Sequence, residues 1–142
     1  MIVVDVNILI YAYSPDVTQH PAARQWVENS FSGNEPIRIP WAVVHAFLRL
    51  TTKRKLLAHP YSTGEAIAIV EDWFAAPTVE PIEPGPRYWS ILRDLLIGES
   101  VVGDVVPDAH IAALAIESEA TVCTADAGSN ASPHLRVINP LA

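Results

Sequence analysis

Three carboxylates carry the clearest chemical signal in this chain. Asp5 closes the apolar run Ile2-Val3-Val4, Asp126 ends the β-prone run that begins at Thr121, and Asp108 stands at the head of the apolar stretch Ala109 to Ile116. A carboxylate at the edge of buried chain is costly unless something compensates its charge. Each has a local explanation. Asp5 with Asn7 suits a cap on the next helix, Asp126 suits a turn before Gly128, and Asp108 suits the positive end of a helix. If the three converge, they repel, and some would take up protons in the absence of a cation. A hard divalent ion with oxygen ligands relieves that repulsion, which points to Mg²⁺ or Mn²⁺. Asp104, after Gly103, is a further candidate oxygen donor, although a solvated loop position explains it more simply.

Convergence requires a fold that brings strand ends and helix starts to one rim, and the pattern along the chain predicts such a fold. Ile2 to Val4 is β-branched throughout and reads as a strand buried on both faces. His20-Pro21 opens a helix with proline in its first turn, followed by Ala22, Ala23, Trp26 and Val27 at helical spacing. Ile37 to Ile39 reads as a strand closed by Pro40. A helix from Trp41 to about Thr52 carries Val43, Phe47 and Leu50 on one face and ends in Lys53-Arg54-Lys55. Ser62 and Glu65 form a capping box for a helix reaching Phe74. Thr78 to Ile82, a helix from Tyr88 to Leu96, a buried helix from Asp108, and strands near Thr121 and Leu135 complete the alternation. That alternation predicts an α/β fold with a parallel sheet and helices on both faces. In open sheets of this kind ligands gather at the carboxyl ends of the strands, where Asp5 would sit.

The 142 residues suit a single domain over 1–142, half of them are apolar, and formal net charge is −7. Such a composition excludes disorder and argues against broad electrostatic binding of nucleic acid. No apolar run approaches the ~20 residues that span a bilayer, and the start carries no signal-peptide pattern, so the chain is expected in the cytoplasm without a membrane. The single Cys123 fits that reducing compartment and reads as a small apolar strand residue.

Several segments together resemble one family. They are the opening Val3-Val4-Asp5-Val6-Asn7-Ile8-Leu9-Ile10-Tyr11, then Val44-His45-Ala46-Phe47-Leu48-Arg49, then Pro107-Asp108-Ala109-His110-Ile111-Ala112-Ala113-Leu114-Ala115, the turn Thr124-Ala125-Asp126, and the closing Val137-Ile138-Asn139-Pro140-Leu141. The chain resembles PIN-domain proteins, and more narrowly the VapC toxins of bacterial toxin–antitoxin pairs. The resemblance implies a three-layer α/β/α fold and a metal-dependent endoribonuclease acting on structured RNA such as transfer RNA. It also implies a homodimer restrained by a small VapB-like antitoxin. It assigns Asp5, Asp108 and Asp126 to metal positions and Asn7 and Thr124 to supporting ones.

The chain departs from the family in two places. A glutamate normally precedes the Phe-Leu-Arg, and here the residue is Ala46. After Asp126, Ala127-Gly128-Ser129 replaces a second acid and an aromatic. His45 points elsewhere, since one residue along a helix is a rotation of ~100°. Arg49 shares the face of Ala46 and is the favoured RNA-phosphate contact, while Lys53, Arg54 and Lys55 are equally explained as a solvated helix end. Without the glutamate, cleavage is expected to weaken, or the chain to bind RNA or antitoxin without cutting. A phosphoacceptor domain is the other rival, but Asp16 lies too far from the first strand and no lysine follows Lys55. Four tryptophans in a small acidic chain raise an interface for Trp26 or Trp73, with the core as the default.

Overall fold

The computed structural model describes residues 1–54, 57–98, 106–126 and 135–142. Five parallel strands form one sheet: β1 (Ile2–Val4), β2 (Ile37–Pro40), β3 (Val79–Ile82), β4 (Thr121–Cys123) and β5 (Arg136–Ile138), in the order β3-β2-β1-β4-β5. Among the described residues six helices join them: α1 (Val6–Ala12), α2 (His20–Phe31), α3 (Trp41–Thr51), α4 (Thr63–Ala75), α5 (Tyr88–Gly98) and α6 (Val106–Glu117).

The apolar runs explain which strands lie inside. Val3 and Val4 point to opposite faces of β1, and both are fully buried, so helices cover the sheet on each side. The edges are more open. β5 has no buried residue, and β3 tolerates Pro81 at an edge position, where a missing N–H costs no ladder bond. On the helices, burial follows the 3.6-residue stripe: Ala23, Val27 and Phe31 on α2, and Val43, Val44, Phe47 and Thr51 on α3. The capping box of α4 is present. Ser62 Oγ accepts from the Glu65 N–H at 3.1 Å, and Glu65 Oε1 accepts from the Ser62 N–H at 2.9 Å.

Trp73 is only 2% exposed and packs edge-on against Phe47 at 4.6 Å, so the interface reading fails for it and the core reading holds. Its indole donates to the Tyr13 hydroxyl at 3.0 Å, which satisfies its one polar atom. Trp26 is half-buried and packs on the same core. The exposed tryptophans are Trp41 at 44% and Trp89 at 63%. α6 has alanine at 109, 112, 113 and 115, all buried, and these short side chains let it lie close over β1 and β4.

The order of strands places the site. From β1 the chain steps outward through β2 and β3, then returns to the other side of β1 for β4 and β5. The reversal falls between β1 and β4, the kind of switch point where an open sheet leaves a crevice at its carboxyl end. Val4 is in register with Cys123, so Asp5 and Thr124 leave the sheet side by side.

Candidate functional site

Asp5 has two duties at this crevice. Its Oδ1 accepts from the Val6 N–H at 2.7 Å and caps α1, while its Oδ2 accepts from the Thr124 hydroxyl at 2.9 Å. The cap and the site therefore share one residue. Its backbone N–H donates to the Cys123 carbonyl at 2.9 Å, which continues the β1–β4 ladder into the turn.

Thr124 is fully buried and its hydroxyl uses its whole capacity of one donation and two acceptances. It donates to Asp5 and accepts from Asn7 Nδ2 at 3.2 Å and from the Asp126 N–H at 3.1 Å. Asn7 Oδ1 in turn accepts from the Ala125 N–H at 3.1 Å. The turn after β4 is thus tied to the start of α1 through the Asn7 and Thr124 side chains as well as through the backbone. Asp126 is exposed beyond it.

Asp108 lies in the first turn of α6 and shares a crevice with Asp5, floored by Ile111 and Val122. The crevice has room for about 10 Å³, the space of about one water. Among the described residues nothing hydrogen-bonds to the Asp108 carboxylate. Its pKa is raised, mainly by burial and then by the charges of Asp5 and Asp126. That of Asp5 is raised as well: burial outweighs the Thr124 and Val6 hydrogen bonds, and the Asp126 charge adds to it. The three acids therefore feel one another across one rim. Among the described residues no three His, Cys, Asp or Glu side chains already stand in metal-holding geometry.

Beside this crevice lies an alcove of about 150 Å³, bounded by Asp5 and Asp108 and walled by Val6, Val43 and Ile111. Ala42 and Ala46 of α3 form its short-sided wall, and His110 of α6 stands at its edge. Ala46 thus lines the alcove, on the face of α3 that its helical position predicted. His45 and Arg49 are exposed, and neither lines the alcove. Lys55, Asp104 and Ala127-Gly128-Ser129 lie outside the described residues. A recess of about 190 Å³ near Pro15, Leu57 and His59 is larger but holds none of the candidate residues.

His110 is the residue that sequence reasoning passed over. Its Nδ1 is in a short hydrogen bond with the Tyr88 hydroxyl of α5. Burial lowers the His110 pKa and raises that of Tyr88, which favours the neutral form of both. Tyr88 is held there by a clasp between α5 and α6. The Glu117 carboxylate accepts from the N–H groups of Gly85 and Arg87, each at 2.8 Å, and the Arg87 guanidinium donates to the Glu117 carbonyl at 2.7 Å. A Cβ at position 85 would lie 2.6 Å from Glu117 Oε2, so a side chain there would push the Glu117 carboxylate aside. The pairing spans 22 residues and has no local sequence pattern. The one signal was a histidine close behind the helix-opening Asp108.

This geometry belongs to a known class. The chain is a member of the PIN domain family, whose model matches residues 2–131. Among curated relatives, Ribonuclease VapC43 of Mycobacterium tuberculosis (strain ATCC 25618 / H37Rv) is 36% identical over 141 residues, covering 99% of this chain and 96% of that protein. Ribonuclease VapC25 of the same strain is 34% identical over 140 residues, covering 99% of each. Among solved structures, VapBC2 from Rickettsia felis bound to a DNA fragment from its promoter superposes with a TM-score of 0.66 at 19% identity, covering 98% of both chains.

Proposed function

We propose that this chain is a metal-dependent endoribonuclease, the toxin of a toxin–antitoxin pair. The observation that carries this reading is the pair Asp5 and Asp108, set on one rim at the sheet's switch point with both pKa values raised. The full-length likeness to VapC ribonucleases supports the substrate, and the likeness to a VapBC2 complex supports an antitoxin partner. The donor set fits a hard cation: the carboxylates of Asp5 and Asp108 share one crevice, and the charge of Asp5 helps to raise the Asp108 pKa. Asp5, Asp108 and Asp126 would hold Mg²⁺ or Mn²⁺, which when bound supplies a water of lowered pKa and positive charge beside the phosphate.

The chain's own residues do the positioning. Thr124 and Asn7 fix the orientation of Asp5, so its carboxylate presents the same edge to each substrate. Exposed Arg49, in the last turn of α3, meets a phosphate further along the RNA. The acidic rim suits an arginine of the antitoxin as a block. Exposed Trp41 and Trp89 suit a homodimer, which light scattering at high concentration would report.

A second reading, RNA or antitoxin binding without cutting, is favoured by one observation, Ala46 at the alcove. One assay separates the two: incubation of total bacterial RNA with the purified chain in Mn²⁺, in EDTA, and with Asp5→Asn. The enzyme reading expects Mn²⁺-dependent fragments with 5′-phosphates, absent in both controls. Intact RNA in Mn²⁺ together with RNA retention on the protein would establish binding alone.

A further inference from the structure

The alcove beside Ala46 sits on the same rim as the two carboxylates, yet it has the character of a ring pocket rather than a charge pocket. Val6, Val43 and Ile111 supply apolar walls, and the space is about 150 Å³. A buried apolar cavity of ~150 Å³ accommodates a single six-membered ring such as benzene. A two-ring purine would leave its second ring outside these walls. A phosphate belongs at the rim, where a cation between Asp5 and Asp108 would meet it, and the apolar walls of the alcove offer it no counter-charge. What remains is a flat, neutral ring carried by a strand whose phosphate lies at the carboxylates.

We propose that the alcove receives a pyrimidine base of the RNA, from a nucleotide flanking the scissile phosphate. This rests on the ribonuclease reading and adds a base preference to it. His110 provides the polar recognition. Tyr88 engages its Nδ1, and a phenol that donates there leaves Nε2 as the protonated nitrogen, free for a ligand. The O2 carbonyl, present in both uracil and cytosine, accepts from such a donor. Ala46 is one of its short walls, so a longer apolar side chain at that position would reduce the space.

The test is fluorescence anisotropy with short labelled oligouridine, oligocytidine and oligoadenosine. Ca²⁺ replaces Mn²⁺ to prevent turnover, and the series is repeated in EDTA. The variants are A46L and A42L, which fill the alcove from its half-buried and its exposed side. Melting curves confirm that each is folded, and A42L serves if A46L does not fold. The chain as it stands is expected to bind the two pyrimidine strands about tenfold tighter than oligoadenosine, with that difference shrinking to about twofold or less in the filled variants. RNA binding with no pyrimidine preference, or a preference that survives filling, overturns the alcove assignment and leaves the ribonuclease reading in place. No binding to any of the three strands also overturns the alcove assignment, while the ribonuclease reading stands or falls separately on Mn²⁺-dependent cleavage of total RNA.

Discussion

The rim of this sheet has two halves built on opposite plans. On one side, Asp5, Asn7, Thr124 and Ala125 form a closed hydrogen-bond circuit around a hydroxyl with no spare capacity. On the other, Asp108 holds its carboxylate without a hydrogen bond from the described residues, next to an alcove walled by alanines. The first half is preorganised and intolerant. The second is electrostatically strained and has room to change. The contrast shows how a fold can keep its chemistry while its specificity drifts: the fixed half secures one ligand oxygen, and the loose half admits new neighbours.

The sharpest test of that contrast is Asp5→Asn. Asparagine keeps a capping oxygen for Val6, so folding should survive, while cleavage in Mn²⁺ should fall by about a hundredfold or more, since even supporting residues at metal sites cost ~10–100-fold. Circular dichroism and the RNA assay read the two effects. A fall in stability as large as the fall in activity would mean that Asp5 is chiefly a cap.

Thr124→Val comes next. The shape is kept and the hydroxyl lost, which orphans Asn7 Nδ2, the Asp126 N–H and Asp5 Oδ2 together. Urea denaturation should show a loss of about 1–3 kcal/mol, with activity down ~10–100-fold. A silent variant would break the claim that this half is locked.

On the open half the direction reverses. Ala46→Glu should raise Mn²⁺-dependent cleavage by ~10–100-fold, because alanine already keeps the helix and only the carboxylate is missing. In EDTA the same variant should melt lower, since a further negative charge joins two carboxylates whose pKa values are already raised. If the chain as it stands cuts as fast as the glutamate variant, position 46 is dispensable.

The smallest effect concerns pH. The folded pKa of Asp108 stands above its unfolded value. Its contribution to stability is therefore whole below the ordinary carboxylate range and declines as pH rises through the folded value. In EDTA, Asp108→Asn should melt higher than the parent near pH 7 and level with it near pH 3, where both forms are about neutral at this position. Equal melting at both values would mean that solvent already screens the charge.

What could be foreseen from the sequence divides along the same line. The β-branched run before Asp5, the β-prone run from Thr121 and the helical stripe of α3 are local patterns; on α3 the buried face keeps Val43 and Phe47 and turns to Thr51, leaving Leu50 half-buried. Asn7 and Thr124 came through family resemblance, since their bond crosses 117 residues and no spacing rule reaches that far. Tyr88 and His110 were hidden for the same reason without that help: Tyr88 reads as one more apolar residue on α5, and its partner is chosen by how Glu117 docks one helix on another. Trp73 and Trp89 show the limit from the other side. Both are tryptophans on amphipathic helices, yet the first lies under Phe47 and the second faces solvent, because burial depends on what packs against a face as well as on its periodicity.

One consequence concerns Cys123. Its side chain is fully buried at the end of β4, in register with Val4, and burial pushes its thiol up to about 12. A thiol in that state barely reacts until the strands around it part. The lone cysteine is therefore a native clock for the opening of the sheet beneath the rim: its alkylation rate counts those openings without any introduced label, and whatever settles on Asp5 and its neighbours should slow the count.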